Sequence, residues 1–138
     1  MLKLFVAEQG SDKMMRFATA EDDRNKVVSA LAQIEARSGI CRLRKGVLLT
    51  PFEAQSALDS LDAESKRIIQ QPINPSVLDA ASMLIERHCL RAMDALQLGS
   101  AMVARDLLTA PDMRFIASDK SLLEAAEAEG FTVWDPTV

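Results

Sequence analysis

The stretch Arg114–Trp134, RFIASDKSLLEAAEAEGFTVW, decides the fold class of this sequence. Residues 114–118 predict a strand, Lys120–Glu129 predicts a helix that ends at Gly130, and Phe131–Trp134 predicts a last strand. Two strands joined through a helix run parallel, because the crossover returns the chain to the same end of the sheet. The stretch therefore predicts a β–α–β unit of an α/β domain.

Helices and strands alternate in the same way along the rest of the sequence. Before this stretch we expect a helix Ser11–Ala20, a strand Val27–Ala30, a helix Leu31–Lys45 ended by Gly46, a helix from the N-cap Thr50 to about Ser60 with a further turn at 62–64, a weaker strand Arg67–Ile73, a helix from Asn74 to about His88, and a helix Met93–Leu108. This order predicts an α/β fold with a mostly parallel sheet covered by helices on both faces. With no linker or repeat in the sequence, we expect one domain over residues 1–138.

The composition is that of an ordinary globular protein. Of its 138 residues, 49% are hydrophobic and 26% charged. No apolar run approaches the roughly 20 residues that span a membrane, and Glu8 interrupts the N-terminus too early for a signal peptide. The two distant cysteines, Cys41 and Cys89, favour a reduced, cytoplasmic setting. The net charge of −4 does not indicate a nucleic-acid partner, which would therefore need a local site.

Two aspartates stand at the beginnings of predicted helices. Asp119 directly follows a strand, and ligand sites of parallel sheets form at the carboxyl ends of strands. The alternative for Asp119 is a plain helix N-cap. Asp94 shares the apolar face of its helix with Leu98 and Ala101, where an ionised carboxylate is costly without a cation. The alternatives for Asp94 are a cap or a salt bridge with Arg91.

A third acid, Glu35, follows the strand Val27–Ala30 by a little over one helical turn. It shares a helix face with Leu31 and Gly39, although a partly exposed glutamate would fit the same pattern. Three carboxylates that meet in one cleft repel each other unless a divalent cation neutralises them. Oxygen ligands of this kind suit Mg²⁺ or Mn²⁺, and such a site hydrolyses phosphodiesters through an activated water.

A basic run follows Glu35 on the same predicted helix. No acid interrupts the segment between Ala36 and Phe52, which carries four cations, Arg37, Arg42, Arg44 and Lys45. These side chains are candidates to bind RNA phosphates near the cleft. The alternative is a solvated face whose charges suit the C-terminal end of a helix.

Several motifs together resemble the PIN-domain family. Residues 94–98, DALQL, resemble the pattern DA-x-x-L that opens a helix, and residues 115–131 resemble the closing pattern F-x-x-x-D-x-x-L-x-x-A-A-x-x-x-G. Residues 29–35, SALAQIE, resemble the segment that carries the middle glutamate of the family. Residues 2–11, LKLFVAEQGS, resemble the piece just after its first strand. The resemblance spans essentially the whole chain.

The sequence departs from the family pattern at two places. PIN domains begin with a short strand that ends in an aspartate, whereas this sequence starts at Met1 within the stretch that follows. The resemblance therefore implies a domain without its first strand and first aspartate. Glu8 and Asp12 are the acids nearest in sequence to the position of the missing aspartate. The second departure is Ala117, where the family commonly has a threonine or serine; its neighbour is Ser118.

The resemblance implies a three-layer α/β/α fold and a Mg²⁺- or Mn²⁺-dependent endoribonuclease, the VapC-like toxin of a toxin–antitoxin pair. It implies a cytoplasmic homodimer that an antitoxin tail inhibits. The metal-holding, catalytic residues would be Glu35, Asp94 and Asp119, with Arg37, Arg42 and Ser118 as candidates for substrate binding. The first alternative is a PIN-like protein that binds antitoxin or RNA without cleaving. The second alternative is a phosphoacceptor receiver domain, which the pattern around Asp94 does not fit.

Overall fold

The computed structural model describes residues 26–138. The predicted helix at 11–20 and the acids Glu8 and Asp12 lie outside the described residues. Contacts along the chain divide the described part into two units. Unit 1 comprises Lys26 and Ala30–Gln70, and unit 2 comprises Val27–Ser29 and Gln71–Val138.

The described residues form a mixed α/β structure, which confirms the predicted class. In chain order, the elements are β1 (Val27–Ser29), α1 (Ala30–Lys45), α2 (Pro51–Ser65), β2 (Ile69–Gln71), α3 (Pro75–His88), α4 (Ala92–Leu107), β3 (Arg114–Ile116), α5 (Lys120–Ala128) and β4 (Thr132–Trp134). The helix end that the sequence predicts near Ser60 is wrong, because α2 continues through residues 62–64 to Ser65 and buries Leu61. Within the described residues, no helix is long and apolar enough to cross a membrane.

The strands are shorter than the sequence predicts, at three residues each. Along residues 26–138 they form two small sheets, β1 with β2 and β3 with β4. Strands β3 and β4 are parallel, with Phe115 opposite Val133, as the β–α–β unit requires.

Local capping explains where three of the helices begin. The Thr50 hydroxyl accepts from the backbone N–H of Glu53 at 3.1 Å while the Glu53 carboxylate accepts from that of Thr50 at 3.0 Å, a complete capping box. Asn74 caps α3 by accepting from the Val77 N–H, and Asp119 caps α5. Helix α1 ends at Lys45, directly before Gly46, which confirms the predicted end, and the left-handed residue beyond it is Val47, with φ 61°.

Each unit has a buried core of its own. The core of unit 1 lies between α1 and α2 and consists of three alanines with Ile40 and Leu61. The core of unit 2 is larger and holds the leucines 84, 90, 98 and 122 with two phenylalanines, Phe115 and Phe131. Helices α3 and α4 approach closely at Gly99, where a Cβ atom would lie 3.2 Å from the Val77 carbonyl oxygen and the Ala81 nitrogen.

Candidate active site

Asp119 lies where strand β3 leads into helix α5. Its Oδ1 atom accepts a hydrogen bond from the Leu122 N–H at 2.9 Å, which caps the helix. The N-cap interpretation is confirmed, and because the residue also stands beyond the carboxyl end of a strand, the ligand-site interpretation stays a prediction. The side chain is exposed, and the cap engages its Oδ1 atom.

Asp94 lies in the first turn of α4 and is half-buried. Burial raises the pKa of the Asp94 carboxyl above its usual value, the negative charge of Asp119 raises it further, and the positive charge of Arg91 opposes both. The two aspartates, separated in sequence by most of α4 and all of β3, therefore lie close enough for the charge of Asp119 to act on Asp94. We call Asp94 and Asp119 the acid pair.

The packing of unit 2 fixes the position of the acid pair. Ala95 and Leu98 are fully buried on α4 and anchor the helix turn that carries Asp94. Phe115 at the centre of β3 and Leu122 in the first turn of α5 are also buried, so the connection that carries Asp119 is held from both sides. Core side chains therefore hold both carboxylates at the ends of regular elements, where ligand sites of α/β proteins form.

Glu35 lies in α1 and belongs to unit 1, whereas the acid pair belongs to unit 2. The residue is half-buried and its Oε1 atom is shielded from solvent. Across residues 26–138, no three histidine, cysteine, aspartate or glutamate side chains are grouped so as to hold a metal ion. Of the three predicted carboxylates, the structure thus brings together two.

The predicted substrate-binding residues have different surroundings. Arg37 forms an ion pair with Asp62 of α2, so its guanidinium is already engaged within unit 1. Arg42 is exposed in the last turn of α1, as the solvated-face interpretation predicts. Ser118 is exposed directly beside Asp119. Of these three candidates, Ser118 is the one that adjoins the acid pair.

Sequence reasoning missed a polar cluster around Glu129 at the end of α5. The carboxylate of Glu129 accepts from Arg87 and lies 3.2 Å from Nε2 of His88. Arg105 donates to the Glu129 carbonyl oxygen at 2.9 Å and stacks over the Phe131 ring, 4.1 Å from its centroid. These contacts join residues far apart in sequence, so no local pattern could have indicated them. The cluster ties α3, α4 and α5 together.

The acid pair fits a divalent cation. Its donors are carboxylate oxygens, and Mg²⁺ is commonly bound through one or two carboxylates with water and substrate phosphate as the other ligands. A cation would also remove the two effects that raise the Asp94 pKa, since it replaces lost hydration and offsets the Asp119 charge. Asp94 and Asp119 are therefore the residues that would hold the ion.

Comparisons with known proteins do not identify a family. No family model matches this sequence, and no curated protein matches it. The resemblance to PIN domains stays a prediction that the motifs carry.

Proposed function

We propose that this protein is a metal-dependent endoribonuclease of the PIN-domain type, in which the acid pair binds Mg²⁺ or Mn²⁺. The observation that carries this proposal is the position of Asp94 in the first turn of α4 and of Asp119 directly before α5, where burial and the charge of Asp119 raise the pKa of the Asp94 carboxyl. A half-buried carboxylate beside a second negative charge is a setting that a divalent cation relieves. The motifs around both residues and the three-layer fold they imply agree with it.

The chain's own residues prepare this site in two ways. The helix cap uses Oδ1 of Asp119, which fixes the direction of the carboxylate and leaves Oδ2 for a cation. The half-buried position of Asp94 limits the access of water to its carboxylate, so its charge is less well screened than that of the exposed Asp119 and attracts a cation more strongly. The ion, when bound, supplies electrostatic stabilisation of the phosphate charge and activation of the attacking water.

The proposal includes the biological setting that the resemblance implies. The substrate is RNA, the protein is the toxin of a toxin–antitoxin pair in the cytoplasm, and it acts as a homodimer that its antitoxin inhibits. The resemblance also assigns a metal-holding role to Glu35 and a substrate-binding role to Arg42 and Ser118. The exposure of Ser118 beside Asp119 in the chain agrees with the role of that serine.

A second candidate is a PIN-like protein that binds antitoxin or RNA without cleaving it. The observation that favours it is that residues 26–138 group two acids and not three. A site with fewer carboxylates binds its metal more weakly and keeps more water around it. This candidate therefore predicts RNA binding without hydrolysis.

The two candidates are distinguished by RNA cleavage with Mg²⁺ or Mn²⁺. We expect the wild-type protein to cleave, and Asp94→Asn and Asp119→Asn each to lower kcat/KM about a hundredfold or more, because each removes an anionic ligand. Asparagine caps helices about as well as aspartate, so Asp119→Asn keeps α5 while it removes the charge. The matched control is Asp79→Asn, the same change at an exposed position of α3.

The outcomes separate the proposals. Full activity of Asp94→Asn would show that the acid pair is not the site. Binding of RNA by the wild-type protein without cleavage in either metal would favour the noncatalytic candidate. Glu35→Gln belongs in the same series, where a loss as large as that of Asp94→Asn would support the third carboxylate that the resemblance assigns.

A further inference from the structure

We propose that the junction between α1 and α2 is a binding surface for unpaired RNA. The surface comprises the last turn of α1, the connection and the first turn of α2, residues 42–52 of unit 1, and we call it the α1–α2 tip. This inference rests on the proposed function, because RNA is the substrate there. It adds to Arg42 further cations and apolar side chains whose exposure the structure shows, and it names the form of RNA that they fit.

The backbone of the α1–α2 tip is held against the end of α1. The N–H of Gly46 donates to the Arg42 carbonyl oxygen at 2.9 Å. The N–H groups of Leu48 and Leu49 both donate to the Leu43 carbonyl oxygen, at 2.9 and 3.3 Å. The Leu49 side chain packs against the core of unit 1, and the chain then enters α2 through its capping box. The exposed side chains of the tip therefore extend from defined backbone positions.

Three exposed cations end helix α1, namely Arg42, Arg44 and Lys45. Within residues 26–138 none of them makes an ion pair, in contrast to Arg37, which Asp62 holds. The sequence places no acid between Ala36 and Phe52, and the next acid, Glu53, is engaged in the capping box of α2. In a chain of net charge −4, the tip is thus a local basic site of the kind that a nucleic-acid partner requires.

Apolar side chains follow these cations directly in the chain. Val47, Leu48 and Phe52 are all strongly exposed, and the Val47 N–H donates to the Arg44 carbonyl oxygen at 3.1 Å. Val47 also has a φ of 61°, a backbone conformation that is costly for a β-branched residue. The helix dipole explains cations at the end of a helix, but it does not explain exposed apolar side chains next to them. Contact with another molecule explains both.

Single-stranded RNA complements both kinds of side chain in the α1–α2 tip. Its phosphates attract the cations, and its unpaired bases have flat faces that stack on an exposed aromatic ring such as that of Phe52. Duplex RNA keeps its base faces stacked within the helix, so it offers the tip only phosphates and sugars. The tip should therefore favour unpaired RNA over duplex RNA.

The test measures RNA binding apart from cleavage. The full-length protein is titrated in EDTA into a labelled single-stranded oligonucleotide, and fluorescence anisotropy gives Kd and its dependence on salt. We expect Phe52→Ala to raise Kd about fivefold or more, from the loss of one stacked base. Arg44→Gln and Lys45→Gln should each lower the slope of log Kd against log salt by about 0.7, the value for one phosphate contact on a single strand. Binding of a duplex of the same sequence should not change in Phe52→Ala.

Matched variants control for charge, apolar area and the aromatic ring. Arg67→Gln makes the same change as Arg44→Gln at an exposed cation of unit 1 outside the tip, and it should leave Kd unchanged. Leu78→Ala, at an exposed leucine of α3, is the control for Leu48→Ala and should also leave Kd unchanged. Phe52→Leu keeps an apolar side chain without the ring, so it should bind RNA nearly as weakly as Phe52→Ala.

Four outcomes would overturn this assignment. Single-strand binding by Phe52→Ala as tight as that of the wild type would exclude stacking at the tip, and full binding by Phe52→Leu would exclude a role for the ring. Equal losses in Arg44→Gln and Arg67→Gln would indicate attraction by charge anywhere on unit 1. A wild-type protein that binds no RNA in EDTA would leave the tip to a protein or a membrane surface.

Failure of this assignment is distinguishable from failure of the proposed function. Cleavage is measured separately with Mg²⁺ or Mn²⁺. Cleavage by the wild type with a KM that Phe52→Ala does not change would overturn the role of the tip while the nuclease function stands. Binding of RNA through the tip without cleavage would support the role of the tip while the nuclease function fails.

Discussion

The two units differ in core, surface and charge. Unit 1 is a pair of helices around a core in which three of five buried residues are alanine. The segment after α1 and the first turn of α2 leave large apolar side chains in solvent, with Val47 86%, Leu48 75% and Phe52 80% exposed. Unit 2 buries leucine and phenylalanine between helices and a parallel strand pair, and it carries the acid pair.

This difference indicates where a reactive site can be held. A carboxylate pair needs fixed positions, because small displacements change the binding of a cation and the attack on a substrate. Unit 2 provides such positions, since buried residues flank both aspartates. Unit 1 offers exposed charge and apolar surface instead, which suits contacts with other molecules better than chemistry.

The largest effects should come from the two cores. Leu98→Ala in unit 2 and Leu61→Ala in unit 1 each remove a fully buried side chain, with expected losses of about 2–5 kcal/mol in the free energy of unfolding. We expect Leu98→Ala near the upper end, because a core with two phenylalanines closes less readily over a cavity than one of alanines. Urea unfolding, followed by circular dichroism and by the fluorescence of Trp134, measures both. Equal losses would contradict the contrast drawn between the two cores.

Polar contacts should show a smaller difference between the units. In unit 2 the buried Ser100 hydroxyl donates to the Leu96 carbonyl oxygen at 2.7 Å and lies 3.1 Å from the Ser29 hydroxyl. We expect Ser100→Ala to cost about 1–2 kcal/mol, because it removes the hydrogen bonds that the buried Ser100 hydroxyl makes. In unit 1, Asp62→Asn removes the exposed partner of Arg37 and should cost less than about 1 kcal/mol. Thermal unfolding of both variants gives the comparison.

Ser82→Ala is the control for the buried serine. The Ser82 hydroxyl makes the same type of bond, to the Leu78 carbonyl oxygen one turn earlier at 3.0 Å, but in an exposed position of α3. Alanine is the better helix former, so this variant should be as stable as the wild type or slightly more stable. A loss equal to that of Ser100→Ala would mean that burial is not what makes the Ser100 contact valuable.

Two helix caps allow a comparison between Thr50, which has a structural role, and Asp119, which also has a proposed function. Thr50→Ala in unit 1 and Asp119→Ala in unit 2 should each cost about 1 kcal/mol, because each leaves backbone N–H groups of its helix without a partner. Asp119→Asn should restore the stability but not the cleavage of RNA. Chemical unfolding and the cleavage assay together check this. Recovery of cleavage in Asp119→Asn would mean that Asp119 acts only as a helix cap.

The features that the sequence predicted are those with local causes. The predicted caps Thr50 and Asp119 depend on residues three positions apart and form as expected, and the helix predicted from Asn74 begins with that residue as its cap. The pairing of strands depends on distant residues, and the expected single sheet is not what the described strands form. The predicted end of α1 before Gly46 is confirmed, although the left-handed backbone that glycine favours is adopted by Val47.

The candidate site was partly predictable for the same reason. Their positions at the ends of predicted elements indicated Asp94 and Asp119 as candidate site residues. In the structure, the charge of Asp119 raises the pKa of Asp94. The placement of Glu35 depends on how distant parts of the chain fold, which spacing within one helix does not determine. The contacts of Glu129 have no sequence signal at all.

The smallest expected effect is a difference in the sign of the pH dependence between the units. In unit 2, the folded state raises the pKa of Asp94 above its ordinary 3.8, so it favours the protonated form. This contribution to stability is present below pH 3.8 and is lost as the pH rises through the raised pKa. Asp94→Asn should therefore be slightly more stable than the wild type at neutral pH, with a difference that vanishes in acid.

Glu53 in unit 1 should behave in the opposite way. Hydrogen bonds from the backbone and the hydroxyl of Thr50 lower the Glu53 pKa below its ordinary 4.5. Its contribution is present above pH 4.5 and is lost as the pH falls through the lowered pKa, so Glu53→Gln should be less stable than the wild type at neutral pH. Urea unfolding of both variants between pH 3 and 7 measures the two signs.

High salt should reduce the Asp94 effect without abolishing it, because salt screens the charge of Asp119 but leaves burial, the larger cause, unchanged. Complete loss of the effect in salt would make repulsion by Asp119 the dominant cause.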